Sequence, residues 1–338
     1  MASTSRTPEV AGLLERFARG DRRALARALT WVENQQPGFE QLLHATHSGL
    51  GRAFRVGVTG PPGAGKSTLT EKFALLCRRH DQKVGILAVD PSSPFTGGAL
   101  LGDRIRMQDL TLDDGAFIRS MASRGRLGGL ATTSLEAADL LEAFGFDVVI
   151  HETVGVGQTE RDIVSAADTT VVVLVPESGD AVQTMKAGLM EIADVFVVNK
   201  ADRPGAENLE RALTATLGLK PRDGRGWVPP IVRTVAVEGE GVEELAAAID
   251  AHRSHCHKSG AFTVKQRVRS ADRVRDLVAR RVDAHVWKWG GGEEILEQAL
   301  DRIRDGDATP YSVADEIVAA VGLDSPSARP GTEQEERG

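Results

Sequence analysis

The sequence predicts an α/β fold with a mostly parallel sheet, and two observations predict it. Short β-rich runs alternate with helical segments from residue 54 onward, as βαβ units covered on both faces do. A glycine-rich loop lies between the first run and the helical segment after it. The runs are Phe54–Thr59, Val84–Val89, Phe117–Arg119, Val148–His151, Thr169–Val175, Val195–Asn199 and Ile231–Val235.

The elements follow in chain order. Residues 9–50 place Leu13, Leu14 and Phe17, then Leu25, Leu29 and Val32, then Leu42 and Leu43 at helical spacing. That spacing predicts three short helices broken at Gly20-Asp21 and Pro37-Gly38. After the last β run, Val242 to His252 closes the α/β region as a final helix, and the polar residues after it read as a linker. Residues 261–287 form a long arginine-rich helix, Gly290-Gly291-Gly292 interrupts, and two shorter helices follow to about residue 321. The tail, Asp324 to Gly338, is polar and aperiodic and is expected to be disordered. The resulting division is a helical extension (1–52), an α/β domain (53–255), a helical region (256–322) and a tail (323–338).

Composition narrows the function classes. The chain has 338 residues, 41% of them hydrophobic, which is enough to bury a substantial core. A net charge of -7 argues against a duplex nucleic-acid binder, which carries a basic excess. Two cysteines, Cys77 and Cys256, make no disulfide framework and suit a reducing cytosol. No apolar run has membrane-spanning length, and the N-terminus lacks the apolar core of a secretory signal. A cytoplasmic protein, with neither membrane nor nucleic acid as partner, is expected.

The chemistry begins at Gly60-Pro61-Pro62-Gly63-Ala64-Gly65-Lys66-Ser67, followed by Thr68. It fits the phosphate-binding loop, in which glycines let consecutive amides turn around a phosphate at a helix N-terminus. Lys66 is expected to reach the β- and γ-phosphates and Ser67 to bind Mg²⁺. Asn199-Lys200-Ala201-Asp202 follows an apolar strand. An Asp202 carboxylate can accept from both N1–H and the exocyclic amine of guanine, so the nucleotide is GTP or GDP rather than ATP. Thr234-Val235-Ala236-Val237 is the candidate second base loop, with Val235, Ala236 and Val237 supplying backbone amides. Asp90, Asp103 and Glu152 are the candidate metal acids beside Ser67, since a carboxylate at the C-terminal edge of a parallel sheet faces the ligand crevice. The place where small regulatory GTPases orient water with glutamine holds Val156, and Gln158 is the nearest amide, so slow intrinsic turnover is expected.

These residues resemble the MeaB/ArgK-type GTPases, a family that includes the human methylmalonic aciduria type A protein. The resemblance rests on Asp90-Pro91-Ser92-Ser93-Pro94-Phe95-Thr96-Gly97-Gly98, Leu101-Gly102-Asp103, Glu152-Thr153-Val154-Gly155-Val156-Gly157-Gln158, Gly179-Asp180 with Gln183 and Lys186, and Asn199 to Asp202. It implies a P-loop GTPase of the signal-recognition/metal-insertion class, flanked by helical N- and C-terminal extensions and homodimeric through the latter. It implies a G-protein chaperone that gates delivery of adenosylcobalamin to an acyl-CoA mutase and protects or reactivates that enzyme. A cobalamin adenosyltransferase is a further candidate partner. It also implies mobile segments at 92–108, 152–160 and 177–188, and carries Lys186 over as the residue coupling nucleotide to partner, beside Lys66, Glu152 and Gln158 in catalysis. Three departures are Val235 for the usual serine, Glu177 for a common glycine, and His151 in an otherwise aliphatic strand.

Two other readings use different features. His252, His255, Cys256 and His257 could hold Zn²⁺ or Ni²⁺, which would make the chain a metal-insertion GTPase, although the spacing matches no familiar site. An ATP-dependent, transport-associated kinase would need ATP to compete with GTP, against the chemistry of Asp202. The arginine-rich helix intersperses Asp272, Asp276 and Asp283, which suits a solvated or dimer-facing surface.

Overall fold

The computed structural model describes residues 7–91, 107–123, 129–153, 166–176, 189–219 and 226–323. The chain divides into two compact units, Met1–Arg269 and Ser270–Gly338.

The first unit holds a seven-stranded sheet in which every strand pairing is parallel. Its strands are β1 (Phe54–Thr59), β2 (Val84–Pro91), β3 (Ala116–Ser123), β4 (Val148–Thr153), β5 (Thr169–Leu174), β6 (Val195–Asn199) and β7 (Ile231–Thr234), in the order β3-β2-β4-β1-β5-β6-β7. All seven β-rich runs of the sequence are strands, and the fold is the α/β class expected. β1, β4 and β5 are buried along their whole length, as strands covered on both faces must be.

On one face, α4 (Lys66–Arg79) and α9 (Val242–Ser259) pack Leu69, Phe73, Leu245 and Ile249 onto Val56, Val58, Ile150 and Val171. The other face carries two separate apolar clusters. One joins α1 (Pro8–Ala18), α2 (Arg22–Glu33), α3 (Phe39–Thr46) and α6 (Gly129–Phe144) to Leu87, Phe117 and Val149. The second joins α7 (Leu189–Ile192) and α8 (Ala206–Leu219) to Val172, Leu174 and Phe196. A one-turn α5 (Gln108–Thr111) precedes β3.

The N-terminal breaks fall where the sequence puts them. Gly20 follows α1 with φ +79°, the Asp21 side chain caps α2 by accepting from the Arg23 amide, and Gly38 precedes α3 with φ +93°. Arg22 then ties α2 to the edge strand by donating to the Ala116 carbonyl at 2.5 Å.

One boundary differs from the sequence reading. The helix after β7 does not end at His252 in a linker but runs on to Ser259, and it buries His252 and Cys256. Polar residue types suggested a linker, whereas i, i+4 spacing puts these two on the inward face.

In the second unit, α11 (Gly292–Asp305) and α12 (Pro310–Ala320) close a small core of Ala299, Val313 and Ile317. Thr309 and Ser312 form a reciprocal capping box at the start of α12. The 24-residue α10 (Ala261–Ala284) spans the boundary between units, carries no buried residue and continues into a π-helical turn at His285–Trp289. Among the described residues no helix is long and apolar enough to cross a membrane.

Candidate functional site

The phosphate-binding loop lies between β1 and α4, at the C-terminal edge of the sheet next to the topological switch between β4 and β5. Two of its glycines are sterically required. A Cβ on Gly60 (φ +141°) would lie 2.0 Å from the Val173 carbonyl oxygen, and one on Gly65 (φ +85°) would lie 2.4 Å from Asn199 Nδ2. The loop is therefore clamped between β5 and the residue that ends β6. Lys66 is buried, and its Nζ donates to the carbonyls of Gly60 and Pro61 at 2.9 and 3.0 Å, which holds the ammonium along the loop.

Asn199 joins the loops. Its Nδ2 donates to the Ala64 carbonyl at 2.8 Å, while its Oδ1 accepts from Thr234 Oγ1 at 3.0 Å and from the Ala236 amide at 3.1 Å. One side chain thus ties the phosphate loop to the loop after β7. Lys200 follows with φ +56°, a left-handed conformation that turns the chain sharply out of the strand. Asp202, Ala201, Thr234 and Val235 line an open groove of about 1480 Å³. In the second base loop the Val235 amide donates to Glu240 and the Ala236 amide to Asn199, so both are already engaged, and Val237 is exposed. Thr234, which opens the candidate second base loop, ends β7 in register with Asn199.

Glu152 sits near the end of β4, beside Val58 of β1 and Ala88 of β2, and is buried. Its Oε1 accepts from Ser67 Oγ at 2.5 Å. The first residue of α4 with a hydroxyl and the carboxylate of β4 therefore share one spot, and both are hard oxygen donors of the kind Mg²⁺ takes. Asp90 belongs to the same edge, one residue past the Val89–Thr153 pairing. Thr153 and Thr59 close the ends of β4 and β1 with a 3.0 Å hydroxyl–hydroxyl bond. Asp103, Val156, Gln158, Glu177 and Lys186 lie outside the described residues, as do most of the segments expected to be mobile and the tail from residue 324.

The opposite face of the same strands is ionic. Arg55 of β1 donates to Asp139 Oδ1 and Glu142 Oε2 of α6, each at 2.6 Å, with all three buried. Burial works against the guanidinium charge, yet Asp139 and Glu142 outweigh it and raise the pKa. Glu142 Oε1 also accepts the amides of Gly51, Arg52 and Ala53 ahead of β1. Fully buried His151 is held neutral: burial, then the Arg55 and Arg269 charges, push its pKa down to about 3.

The His252 to His257 cluster has other uses. His252 Nδ1 shares a hydrogen with Thr169 Oγ1 at 2.7 Å, and its Nε2 faces Cys256 Sγ at 3.2 Å and Asp194 at 3.3 Å. Trp227 packs on His252 and His255, and His257 packs on Phe262. Burial lowers the His252 pKa and raises that of Cys256, so a thiol rather than a thiolate faces the ring. Among the described residues no group of three or more His, Cys, Asp or Glu is placed to hold a metal ion.

Comparison with known proteins agrees with this geometry. The family described as "Methylmalonyl Co-A mutase-associated GTPase MeaB" matches residues 25–290. A Pyrococcus abyssi protein provisionally named a GTPase is 49% identical over 315 residues, covering 91% of this chain and 96% of its own. The Mus musculus protein "Methylmalonic aciduria type A homolog, mitochondrial" is 32% identical over 321 residues, covering 90% and 77%. A crystal structure titled "LAO/AO transport system kinase" superposes with a TM-score of 0.69 at 30% identity, covering 95% of this chain and 99% of that one.

Proposed function

The chain belongs to the MeaB family of methylmalonyl-CoA mutase-associated GTPases, and from that premise we propose that it is a Mg²⁺-dependent GTPase chaperoning an adenosylcobalamin-dependent acyl-CoA mutase. The observation that carries the nucleotide reading is the Asn199 staple between the phosphate loop and the second base loop. A loop that wraps phosphate and a loop that reads a base are held at a fixed separation by one buried side chain.

Each residue then has a task. The amides of Gly60 to Thr68 surround the phosphates, and Lys66 exchanges its carbonyl contacts for phosphate oxygens. Asp202 selects guanine by accepting its two N–H donors, with Lys200 beside the ring. Since the amides of Val235 and Ala236 are engaged, the base oxygen meets that of Val237. Ser67 and Glu152, with Asp90 and Asp103, would hold Mg²⁺, which supplies charge neutralisation between the phosphates. Gln158 orients water, and Lys186 couples the nucleotide state to the mutase.

We propose the C-terminal region as the homodimer surface. On α10, Val264, Val268, Val274, Val278 and Val282 are all exposed, an apolar row that a second copy would cover.

Steady-state hydrolysis of GTP and ATP, with and without the mutase of the same organism, tests the proposal. GTP turnover below about 1 s⁻¹ that the mutase accelerates, with ATP inert and Lys66→Ala unable to bind GTP, is expected. Turnover indifferent to the mutase refutes the chaperone role, and unchanged GTP binding by Lys66→Ala refutes the site. ATP competing equally with GTP would favour the kinase reading.

A further inference from the structure

One residue anchors the segment 199–202, which selects guanine in the proposed function, at two points. Thr234 Oγ1 donates to Asn199 Oδ1 at 3.0 Å, and the Thr234 carbonyl accepts the Ala201 amide at 3.0 Å. Between these anchors Lys200 takes φ +56°. Its carbonyl accepts the Arg203 amide at 3.0 Å, which closes a tight turn around Asp202. Wherever Thr234 is set, the carboxylate of Asp202 follows.

The start of α9 is what holds Thr234. Gly241 precedes that helix with φ +75°, and its carbonyl accepts the Leu245 amide at 3.0 Å. Val242 and Leu245 are buried in the core beneath α9, so packing fixes this first turn. On its other side Gly241 lies against the end of β7. A Cβ there would stand 2.0 Å from the Arg233 carbonyl oxygen and 3.0 Å from Thr234 Cγ2. No side chain fits at the first distance, and the atom it would meet is backbone that has no rotamer to change. The loop 235–240 closes on itself between the two. The Val235 amide donates to the Glu240 carbonyl at 3.1 Å, and the amides of Glu238 and Gly239 donate to the Val235 carbonyl at 3.0 Å. It is a closed turn whose two ends rest on Thr234 and Gly241.

Gly239 supplies an internal comparison. It lies in the same loop at φ +82°, close to the φ of Gly241, yet a Cβ there meets nothing within 4 Å. Left-handed backbone favours glycine at both positions, but of the two only Gly241 presses on β7.

We propose that Gly241 is a positioning residue for base selection: its bare Cα lets the start of α9 seat directly on β7, which fixes Thr234 and through it the direction of the Asp202 carboxylate. The core under α9 is thus the reference against which the base is read. This rests on the reading that Asp202 accepts the two N–H donors of guanine.

The test compares GDP with inosine diphosphate, which lacks the exocyclic amine of guanine, as competitors of fluorescent GDP. The full chain is measured beside Asp202→Ala, Gly241→Ala, Gly239→Ala and Thr234→Val, with thermal melting to check folding. One hydrogen bond to a carboxylate is worth about 10- to 100-fold in affinity, so the parent should prefer GDP by that margin. Asp202→Ala should lose the preference. Gly241→Ala should reduce it to about threefold, since a hydrogen bond weakens steeply once it is off line. A merely structural role would instead weaken both nucleotides alike. Gly239→Ala should melt lower, as Gly241→Ala does, because both put alanine at positive φ, but it should keep the parent preference. Thr234→Val keeps the side-chain shape, removes the donor to Asn199 and should cut the preference about threefold. If Asp202→Ala abolishes the preference while a folded Gly241→Ala keeps it, the positioning role is overturned. Where Gly241→Ala does not fold, an unchanged preference in Thr234→Val overturns it. A loss in Gly239→Ala equal to that in Gly241→Ala also overturns it, since loop strain and not the contact with β7 would then be acting. If Asp202→Ala keeps the parent preference, the guanine reading of Asp202 fails instead.

Discussion

The two faces of the sheet are built from the same strands and solve opposite problems. Toward α4, β1 presents Phe54, Val56 and Val58, and β4 presents Val148 and Ile150, a continuous apolar layer. Away from α4, β1 presents Arg55, Gly57 and Thr59, and β4 presents Val149, His151 and Thr153, with Arg55 matched by Asp139 and Glu142 of α6. The first face backs the phosphate loop with tight packing, which tolerates small losses and sets no unique register. The second fixes α6 and the entry to β1 by paired charges, which are unforgiving when one member is removed. The lesson is that the rigid support of the site is split between packing on one side and specific pairing on the other.

Breaking the ionic face should cost most. Arg55→Met leaves Asp139 and Glu142 buried without their cation and is expected to destabilise by about 3–5 kcal/mol, read as a denaturant midpoint. A loss under about 1 kcal/mol would show that the pair is solvated in solution. Next comes Asn199→Ala, which strips partners from the Ala64 carbonyl, Thr234 and the Ala236 amide. Leaving buried groups unpaired costs about 1–3 kcal/mol, so GDP affinity by titration should fall roughly 10- to 100-fold as the loops part.

His151→Val sharpens the comparison through pH. The folded pKa of His151 is depressed to about 3, so the unfolded chain binds more protons between there and the ordinary value, and stability falls as pH drops below about 6.5. Between pH 6.5 and 5 this group alone should cost about 2 kcal/mol. The valine variant should have a correspondingly shallower acid limb in denaturation curves at those pH values; parallel curves would mean that the ring is charged or exposed in the native state. The smallest effect belongs to the apolar face: Ile150→Val should cost about 0.5–1.5 kcal/mol with GDP affinity unchanged. A larger drop in affinity than in stability would show that this packing, too, aims the loop.

Much of this was legible in the chain. The strand runs, the helix-breaking glycines and the phosphate-loop motif are set by neighbours a few residues apart, and Gly60 and Gly65 stand where no side chain would fit. The polar residue types of 252–257 read as a linker because the partners that bury them, Thr169, Asp194 and Trp227, lie elsewhere in the sequence. Nothing local to Arg55 announces Asp139 and Glu142, which bury its charge from more than eighty residues on.

The sequence by itself determined the class of fold, the order of its strands along the chain and the chemical types at the candidate nucleotide site, because dihedral preference, periodicity and motif spacing act locally. Only the tertiary structure decided which charges are buried, that Asn199 binds two loops at once, and that Glu152 lies against Ser67. Those facts depend on which strands lie side by side, and parallel pairing brings together residues that no sequence window contains.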